Sequence, residues 1–500
     1  MSLGKKVFSS AVLLFVRKIW GNAINLIVMA FLARILSKDD FGLLAVSSVL
    51  LGIINTLATS GISEYIIYYS GEEKEQKVNA AFWLNLFLTI GVISIVVIIG
   101  PFWAEFFGND KIYPLILLLL VSFFFEMLLS IPKSLLRKDL EYKTLVLYGS
   151  IAMTLVSLGK LLAAIMGFGV YSLALPQAIV SPLLLLVLSF KIKWRPSIKF
   201  DYNNFKVIYK YTRHVVGGRI LTKLVNEGDN LIVGKFIGLE ALGIYTLAFQ
   251  LANLVTTNVV FVVNDIFLPL LSKVKHEIER LRYVYSSMIN FISFISFPII
   301  TSIAISAEGI VYFVYGQKWM DAVLPFQILC VFALVRSLSS PSSALFSAVG
   351  RPDIGFKFTL IFTPIFLAAL FFGSQNGVVG AALATTLTRV IGSLVSLSLS
   401  LSLIDLTLMS LISSLRNNIL AALFIIFLSL LIYFYIMDYN GHLLVFIFPV
   451  FIYLNLMFQR LFYPKRILYL FDLIERFTSY SRINVLLRKL FFFNESNRWS

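Results

Sequence analysis

From residue 8 to residue 462 the chain alternates long apolar runs with short polar breaks. Each run reaches the roughly 20 residues that a helix needs to cross the hydrocarbon core of a bilayer. About fourteen such helices are predicted, over 8–35, 42–69, 78–101, 113–136, 143–166, 169–190, 209–236, 242–271, 284–306, 323–349, 354–373, 377–403, 415–436 and 441–462. Lys5 and Lys6 ahead of the first run imitate a signal peptide, but Arg17 and Lys18 interrupt it and no cleavage site follows, so it reads as a retained first helix.

Composition turns this pattern into a class. Hydrophobic residues make up 59% of the chain and charged residues 14%, with mean hydropathy +0.89, whereas soluble domains carry about 25% charged residues. The expected fold is therefore an all-α polytopic membrane protein. A net charge of +16 suggests nucleic acid at first sight, yet the basic residues sit in clusters between apolar runs and form no continuous face, so no nucleic-acid partner is expected. Lys and Arg are retained on the cytoplasmic side. The clusters Lys133/Arg137/Lys138/Lys143, Lys191 to Lys210 and Lys273 to Arg282 fall in alternate loops, which places both termini in the cytoplasm. The basic and apolar tail after 462 is expected to lie on the inner leaflet as an amphipathic segment, with a plain unstructured tail as the alternative. The single cysteine, Cys330, lies in an apolar run and reads as packing; with His214 and His442 at interfaces and His276 in a loop, no metal site emerges.

The chain also repeats itself. Arg34-Ile-Leu-Ser-Lys-Asp39-Asp-Phe-Gly42-Leu matches Lys235-Phe-Ile-Gly-Leu-Glu240-Ala-Leu-Gly243-Ile at a shift of 201 residues. Arg137-Lys-Asp139-Leu-Glu-Tyr-Lys143 matches Arg351-Pro-Asp353-Ile-Gly-Phe-Lys357 at 214, and Gly169-Val-Tyr-Ser-Leu-Ala matches Gly377-Val-Val-Gly-Ala-Ala at 208. Three matches in one order point to a duplication of six helices. An even number gives both copies one membrane orientation, related by a pseudo-two-fold along the membrane normal. The expected organisation is a first lobe over 1–190, a cytoplasmic linker over 191–208, a second lobe over 209–403, two extra helices within 404–462 and a basic tail over 463–500. In transporters of this plan the substrate binds between the lobes and access alternates as one rocks against the other.

Charges inside membrane helices are costly, so they face cavities or partners. Lys18, Asn22 and Asn25 in the first helix share a stripe at i, i+4, i+7. The 201 shift carries that stripe to Arg219, Lys223 and Asn226, with Arg17 and Arg213 at its cytoplasmic edge. A cationic cavity is the functional reading. Arg17 and Lys18 flanking a shorter helix that starts at Trp20, and Lys223 with Glu227 as a structural ion pair, are the bland ones. Arg336 and Arg389 extend the cavity or pair with an acid such as Asp265, and Glu126 and Lys160 are further buried candidates. Glu227 and Asp229 are the leading ion-coupling carboxylates, followed by Glu64 and Asp265. A cationic cavity suits phosphate or pyrophosphate; Asn22, Asn25, Asn226 and Asn230 suit sugar hydroxyls.

The stretch Glu227-Gly-Asp229-Asn230-Leu-Ile-Val-Gly234-Lys235-Phe-Ile-Gly238-Leu-Glu-Ala-Leu-Gly243-Ile-Tyr245-Thr-Leu-Ala248 resembles the signature of polysaccharide transporters, the Wzx-like oligosaccharide-lipid flippases. These belong to the multidrug/oligosaccharidyl-lipid/polysaccharide exporter superfamily. Ala33 to Gly42 resembles that family's first helix-loop-helix junction, and the layout is similar over essentially the whole chain, nearest the colanic-acid and teichuronic-acid exporter group. The resemblance implies flipping of undecaprenyl-pyrophosphate-linked oligosaccharide across the bacterial plasma membrane by a monomeric unit. It further implies no cofactor, a proton or Na+ gradient as driving force, and a polysaccharide polymerase and chain-length machinery as partners. A peptidoglycan lipid-precursor or multidrug transporter of the same fold is the nearest rival; the basic stripe disfavours the cationic drugs. A polytopic polymerase or ligase is the enzymatic alternative, disfavoured by short outer connections that lack an acid-base set.

Overall fold

The computed structural model describes residues 3–59, 62, 65–66, 74–139, 141–192, 194–197, 223, 227–436, 450, 453–454 and 457. Thirteen long helices are traced there: α1 Leu3–Ile35, α2 Lys38–Thr59, α3 Lys74–Phe107, α4 Ile112–Lys138, α5 Tyr142–Ile165, α6 Leu175–Lys191, α7 over 227–236, α8 Leu239–Val274, α9 Ile278–Ile305, α10 Val323–Ser339, α11 Pro352–Ser374, α12 Gly377–Ser402 and α13 Leu408–Ile436. Among the described residues, ten spans are long and apolar enough to cross a bilayer. Their outward faces are greasy: Ile98, Phe102, Ile165, Phe190 and Ile361 are exposed, while Ser47, Asn85, Asp229, Thr385 and Asn418 are buried. This inside-out distribution is what lipid, and not water, stabilises.

Several helices run longer than their apolar runs. The fourth begins at Ile112 and continues to Lys138, so Lys133 and Arg137 are helical rather than part of a loop. At the start of α2, Ser37 N and Oγ donate to Asp40 Oδ2 at 2.9 and 2.8 Å and Asp40 N donates back to Ser37 Oγ at 3.2 Å. This reciprocal cap starts the helix at Lys38, four residues before the apolar run. The matching break between α7 and α8 uses a different device, Gly238 at φ +119°, after which Leu242 N bonds Gly238 O at 3.0 Å. Both copies of the first repeated motif are thus helix–turn–helix corners.

By its internal contacts the chain divides into two compact units, Met1–Thr246 and Leu247–Ser500. In the first, α1 packs on α5, α3 on α4, and α4 on α2 and α6. Asn85 Nδ2 bonds Met127 O at 2.7 Å between α3 and α4, and Trp20 Nε1 bonds Thr154 Oγ1 at 3.1 Å between α1 and α5. The chain leaving α6 is pinned to α3, where Ser197 N donates to Asn79 Oδ1 at 2.8 Å and Ser197 O accepts from Trp83 Nε1 at 2.9 Å. In the second unit α10 and α11 pack on α12, and α9 on α10 and α13. Buried Tyr285 lies 2.7 Å from Ser400 Oγ, and Asn418 Nδ2 donates to Ser293 Oγ at 2.6 Å, polar joints between otherwise apolar helices.

The unit boundary falls well after the 191–208 linker because residues 227–246 pack on α2 and α3. Gly42 and Gly243 form the closest approach: a Cβ on Gly42 would collide with the carbonyl oxygen of Leu239, and one on Gly243 with the carbonyl oxygen of Lys38. Shifted by 201, Lys38 becomes Leu239 and Gly42 becomes Gly243, so the two copies of the motif touch reciprocally. Lys38 Nζ seals the joint with Glu240 Oε1 at 3.1 Å. Lys235 Nζ lies 4.3 Å above the Phe106 ring and donates to the Phe106 carbonyl oxygen.

Candidate functional site

In the first unit a polar cleft of about 330 Å3 opens between α1, α4, α5 and α6. Four cations line it, Arg17, Lys133, Arg137 and Lys160, against one carboxylate, Glu126. Helix geometry brings them together. Arg17, Gly21 and Asn25 stand at i, i+4, i+8 on α1; Glu126, Lys133 and Arg137 at i, i+7, i+11 on α4; and Gly149, Met153, Val156 and Lys160 run along one side of α5. Lys133 Nζ donates to Glu126 Oε2 at 2.8 Å. The guanidinium of Arg17 passes over Gly149, where a Cβ would sit 2.5 Å from its Cζ, so glycine there is what lets Arg17 reach the cleft. Ser157, Gln177 and Ser181 add neutral polar groups. The set offers an anion several charge-assisted donors and offers hydroxyl groups uncharged partners.

The structure shifts the register of the expected α1 stripe by one residue. Arg17 and Asn25 line the cleft, while Lys18, half-buried, and Asn22, exposed, do not. Gly21 between Arg17 and Asn25 carried no signal as a polar position, which is why the i, i+4, i+7 stripe looked the more complete. Lys133 and Arg137 were missed as site residues because they read as loop charges. Their common spacing with Glu126 was the signal that finds them.

A second cluster lies at α7. Lys223 Nζ donates to Glu227 Oε1 at 2.6 Å, and Glu227 Oε2 accepts from Asn230 Nδ2 at 3.0 Å. Lys223 rests over Gly52 of α2, where a Cβ would lie 2.6 Å from its Cε. Asp229 is buried and accepts from Tyr245 Oη of α8 at 3.2 Å. The pairing reading of Lys223 and Glu227 is thus the one the geometry displays, while Asp229 is a carboxylate enclosed among helices.

In the second unit Arg336 Nη1 donates to Asn253 Oδ1 at 2.8 Å. Arg389 stands among aromatic rings, its Cζ 4.5 Å from the centroid of Phe366, 5.3 Å from Phe249 and 5.5 Å from Phe332. Both arginines are held by groups of their own unit. Glu64, Arg213, Arg219 and Asn226 lie outside the described residues, as do the linker over 198–208, most of the last predicted helix and the tail over 463–500. Asp265 falls within α8, but its side chain is not among those described.

The sequence profile of a family described as polysaccharide biosynthesis protein matches residues 31–324, more than half of the chain. The chain belongs to that family. It is 27% identical to the lipopolysaccharide biosynthesis protein WzxC of Escherichia coli K12 over 79% of this chain and 81% of that one. It is 24% identical to the teichuronic acid biosynthesis protein TuaB of Bacillus subtilis 168, over 61% and 63%. Among solved structures it superposes on the lipid II flippase MurJ in an inward closed conformation with TM-score 0.74, covering 91% of this chain and 99% of MurJ at 16% identity. At that identity the match speaks for the fold alone, a polytopic all-α arrangement. The chain is thus a multi-pass cell-membrane protein of the polysaccharide biosynthesis family.

Proposed function

We propose that the protein carries undecaprenyl-pyrophosphate-linked oligosaccharide units from the inner to the outer leaflet by alternating access, driven by an ion gradient, for surface polysaccharide synthesis. The observation that supports this reading is the cationic cleft of the first unit. A pyrophosphate presented to Arg17, Arg137, Lys160 and Lys133 receives charge-assisted hydrogen bonds in a low-dielectric setting, where each contributes more than it does in water. Asn25, Ser157, Gln177 and Ser181 provide the uncharged donors and acceptors that sugar hydroxyls need. Glu126 keeps the site from excess positive charge when empty, because Lys133 is already paired with it. Asp229, enclosed and bonded to Tyr245, and Glu227, paired with Lys223, are the carboxylates assigned to ion coupling, with Glu64 and Asp265 as further candidates.

Depletion of the protein, followed by leaflet-resolved labelling of lipid-linked oligosaccharide, tests the reading. Accumulation on the cytoplasmic leaflet is expected. Accumulation on the outer leaflet would assign the chain to polymerisation or ligation instead. Everted vesicles with and without an imposed proton or Na+ gradient test the coupling, and transport that ignores both gradients refutes it.

A further inference from the structure

The second copy of the Arg-x-Asp-x-x-x-Lys motif, Arg351 to Lys357, has no part in the cleft. It stands at the mouth of a groove between α11 and α12 of about 570 Å3. The shape of the groove follows from glycine placement. At the far end the two helices touch backbone to backbone, since a Cβ on Gly373 would sit 2.7 Å from the carbonyl oxygen of Gly380. Nearer the mouth Gly392 receives the Phe362 ring, whose Cε2 a Cβ would approach to 2.5 Å. The gap beyond is walled on one side by two stacked rings, Phe358 on Phe362 at 5.3 Å and 17°, with buried Phe366 stacked behind Phe362. Ile391, Val395 and Leu399 form the other wall. Ile361 and Ile391 are 66% and 61% exposed, so the groove opens toward the surroundings of the helices, which for this chain are lipid.

The mouth is charged and the interior is not. Arg351 Nε and Nη2 reach Asp353 Oδ1 and Oδ2 at 3.0 and 3.3 Å, and Lys357 Nζ stands 3.8 Å from Asp353 Oδ2. One carboxylate therefore serves two cations, and Arg351 Nη1 has no hydrogen-bond partner among the described residues. Loop charge assigns this end to the cytoplasm. From Arg351 to Ile365 the groove follows α11 for about 21 Å at 1.5 Å per residue, against a leaflet hydrocarbon depth of about 15 Å. With the charged stretch from Arg351 to Lys357, about 9 Å of helix, at headgroup level, the remaining roughly 12 Å fits within one leaflet, and no cluster of polar side chains inside would hold a sugar. In the first copy of the motif Arg137 and Asp139 line two different cavities, so that copy does not form this arrangement.

We propose that this groove seats an anionic phospholipid of the inner leaflet, its phosphate on Arg351 and Lys357 and one acyl chain between α11 and α12. The site is separate from the transport cleft and does not depend on the identity of the transported lipid. Native mass spectrometry of the full chain, titrated with phosphatidylglycerol and with phosphatidylcholine, tests it. Phosphatidylglycerol is expected to bind about fivefold more tightly, the preference that one net interfacial charge provides while Asp353 offsets the other. R351Q/K357Q, at exposed positions, is expected to bring phosphatidylglycerol down to the phosphatidylcholine level. V395W, which fills the groove, is expected to remove one bound lipid of either kind. Equal binding of the two lipids by the native chain, or an unchanged preference in R351Q/K357Q, overturns the proposal. So does displacement of phosphatidylglycerol by stoichiometric undecaprenyl phosphate, which would give the groove to the tail of the carried lipid.

Discussion

Adding a single methyl group at Gly42 or Gly243 is expected to part the corner where the two copies of the first repeated motif meet. A Cβ at 42 would overlap the Leu239 carbonyl, with its carbon only 2.7 Å away, and a Cβ at 243 would lie 3.0 Å from the Lys38 carbonyl carbon and 3.4 Å from Gly42 N. These are backbone atoms in the first turns of α2 and α8, so no side-chain rotation relieves the overlap. Overpacking of this kind costs about 1–3 kcal/mol, or roughly a 5- to 150-fold drop in the packed arrangement relative to a parted one. Because one separation relieves both overlaps, Gly42→Ala with Gly243→Ala is expected to cost less than the sum of the two. The assay is the rate of cross-linking by a short bifunctional thiol reagent between cysteines placed at Lys38 and Glu240, whose charged ends now lie 3.1 Å apart, in a chain carrying Cys330→Ala. Each single substitution should slow cross-linking at least several-fold on monodisperse protein. Rates unchanged in both would refute the close backbone approach, and strictly additive effects would refute the shared joint.

Other substitutions bear on the charges. Arg17→Ala or Lys160→Ala is expected to lower transport about 10- to 100-fold at equal membrane abundance, the contribution of one hydrogen bond to a charged group; wild-type activity in both would remove the cleft from the transport path. Glu126→Gln releases Lys133 from its 2.8 Å pair and should tighten binding of inorganic pyrophosphate in calorimetry; weaker binding would show that Glu126 organises the site instead. Asp229→Asn should abolish gradient dependence while Tyr245→Phe, which removes one donor to Asp229, weakens it only severalfold; equal and complete loss in both would indicate a structural role. Arg389→Lys keeps the charge but loses the planar face set against Phe366, Phe249 and Phe332 and should lower thermal stability by about 1 kcal/mol, with no change pointing to an exposed arginine.

The apolar periodicity located the helices because lipid leaves it little freedom: most of the predicted spans that fall on described residues coincide with a traced helix. Helix ends were less legible, since the Ser37–Asp40 cap and the helical Lys133–Arg137 segment lie in polar sequence that hydropathy discounts. The repeat was the most informative local signal. It marked the corners at 35–38 and 236–239, and the third match marked Gly169 and Gly377, both at positive φ. The site was read less well. Neighbouring positions on a helix differ by about 100°, so the stripe was drawn through Lys18 with Arg17 at its edge. Only the packing of α4, α5 and α6 decides which of two neighbouring cations meets Lys160. Arg336 and Arg389 show the opposite limit: a cation in an apolar run looks the same in sequence whether it faces a ligand or, as here, an asparagine and a cage of phenylalanines.

The reciprocal touch of Gly42 on Leu239 and Gly243 on Lys38 also speaks to ancestry. Contact of residue i with j′ and of j with i′ is the geometry of a two-fold dimer interface, here written twice into one chain. A half-length precursor pairing with itself would have met both glycine constraints with one codon. Within one chain the two codons are free to drift, yet each remains answerable to the backbone of the other corner. Change at either glycine is therefore expected to be tolerated only together with change in the opposite corner.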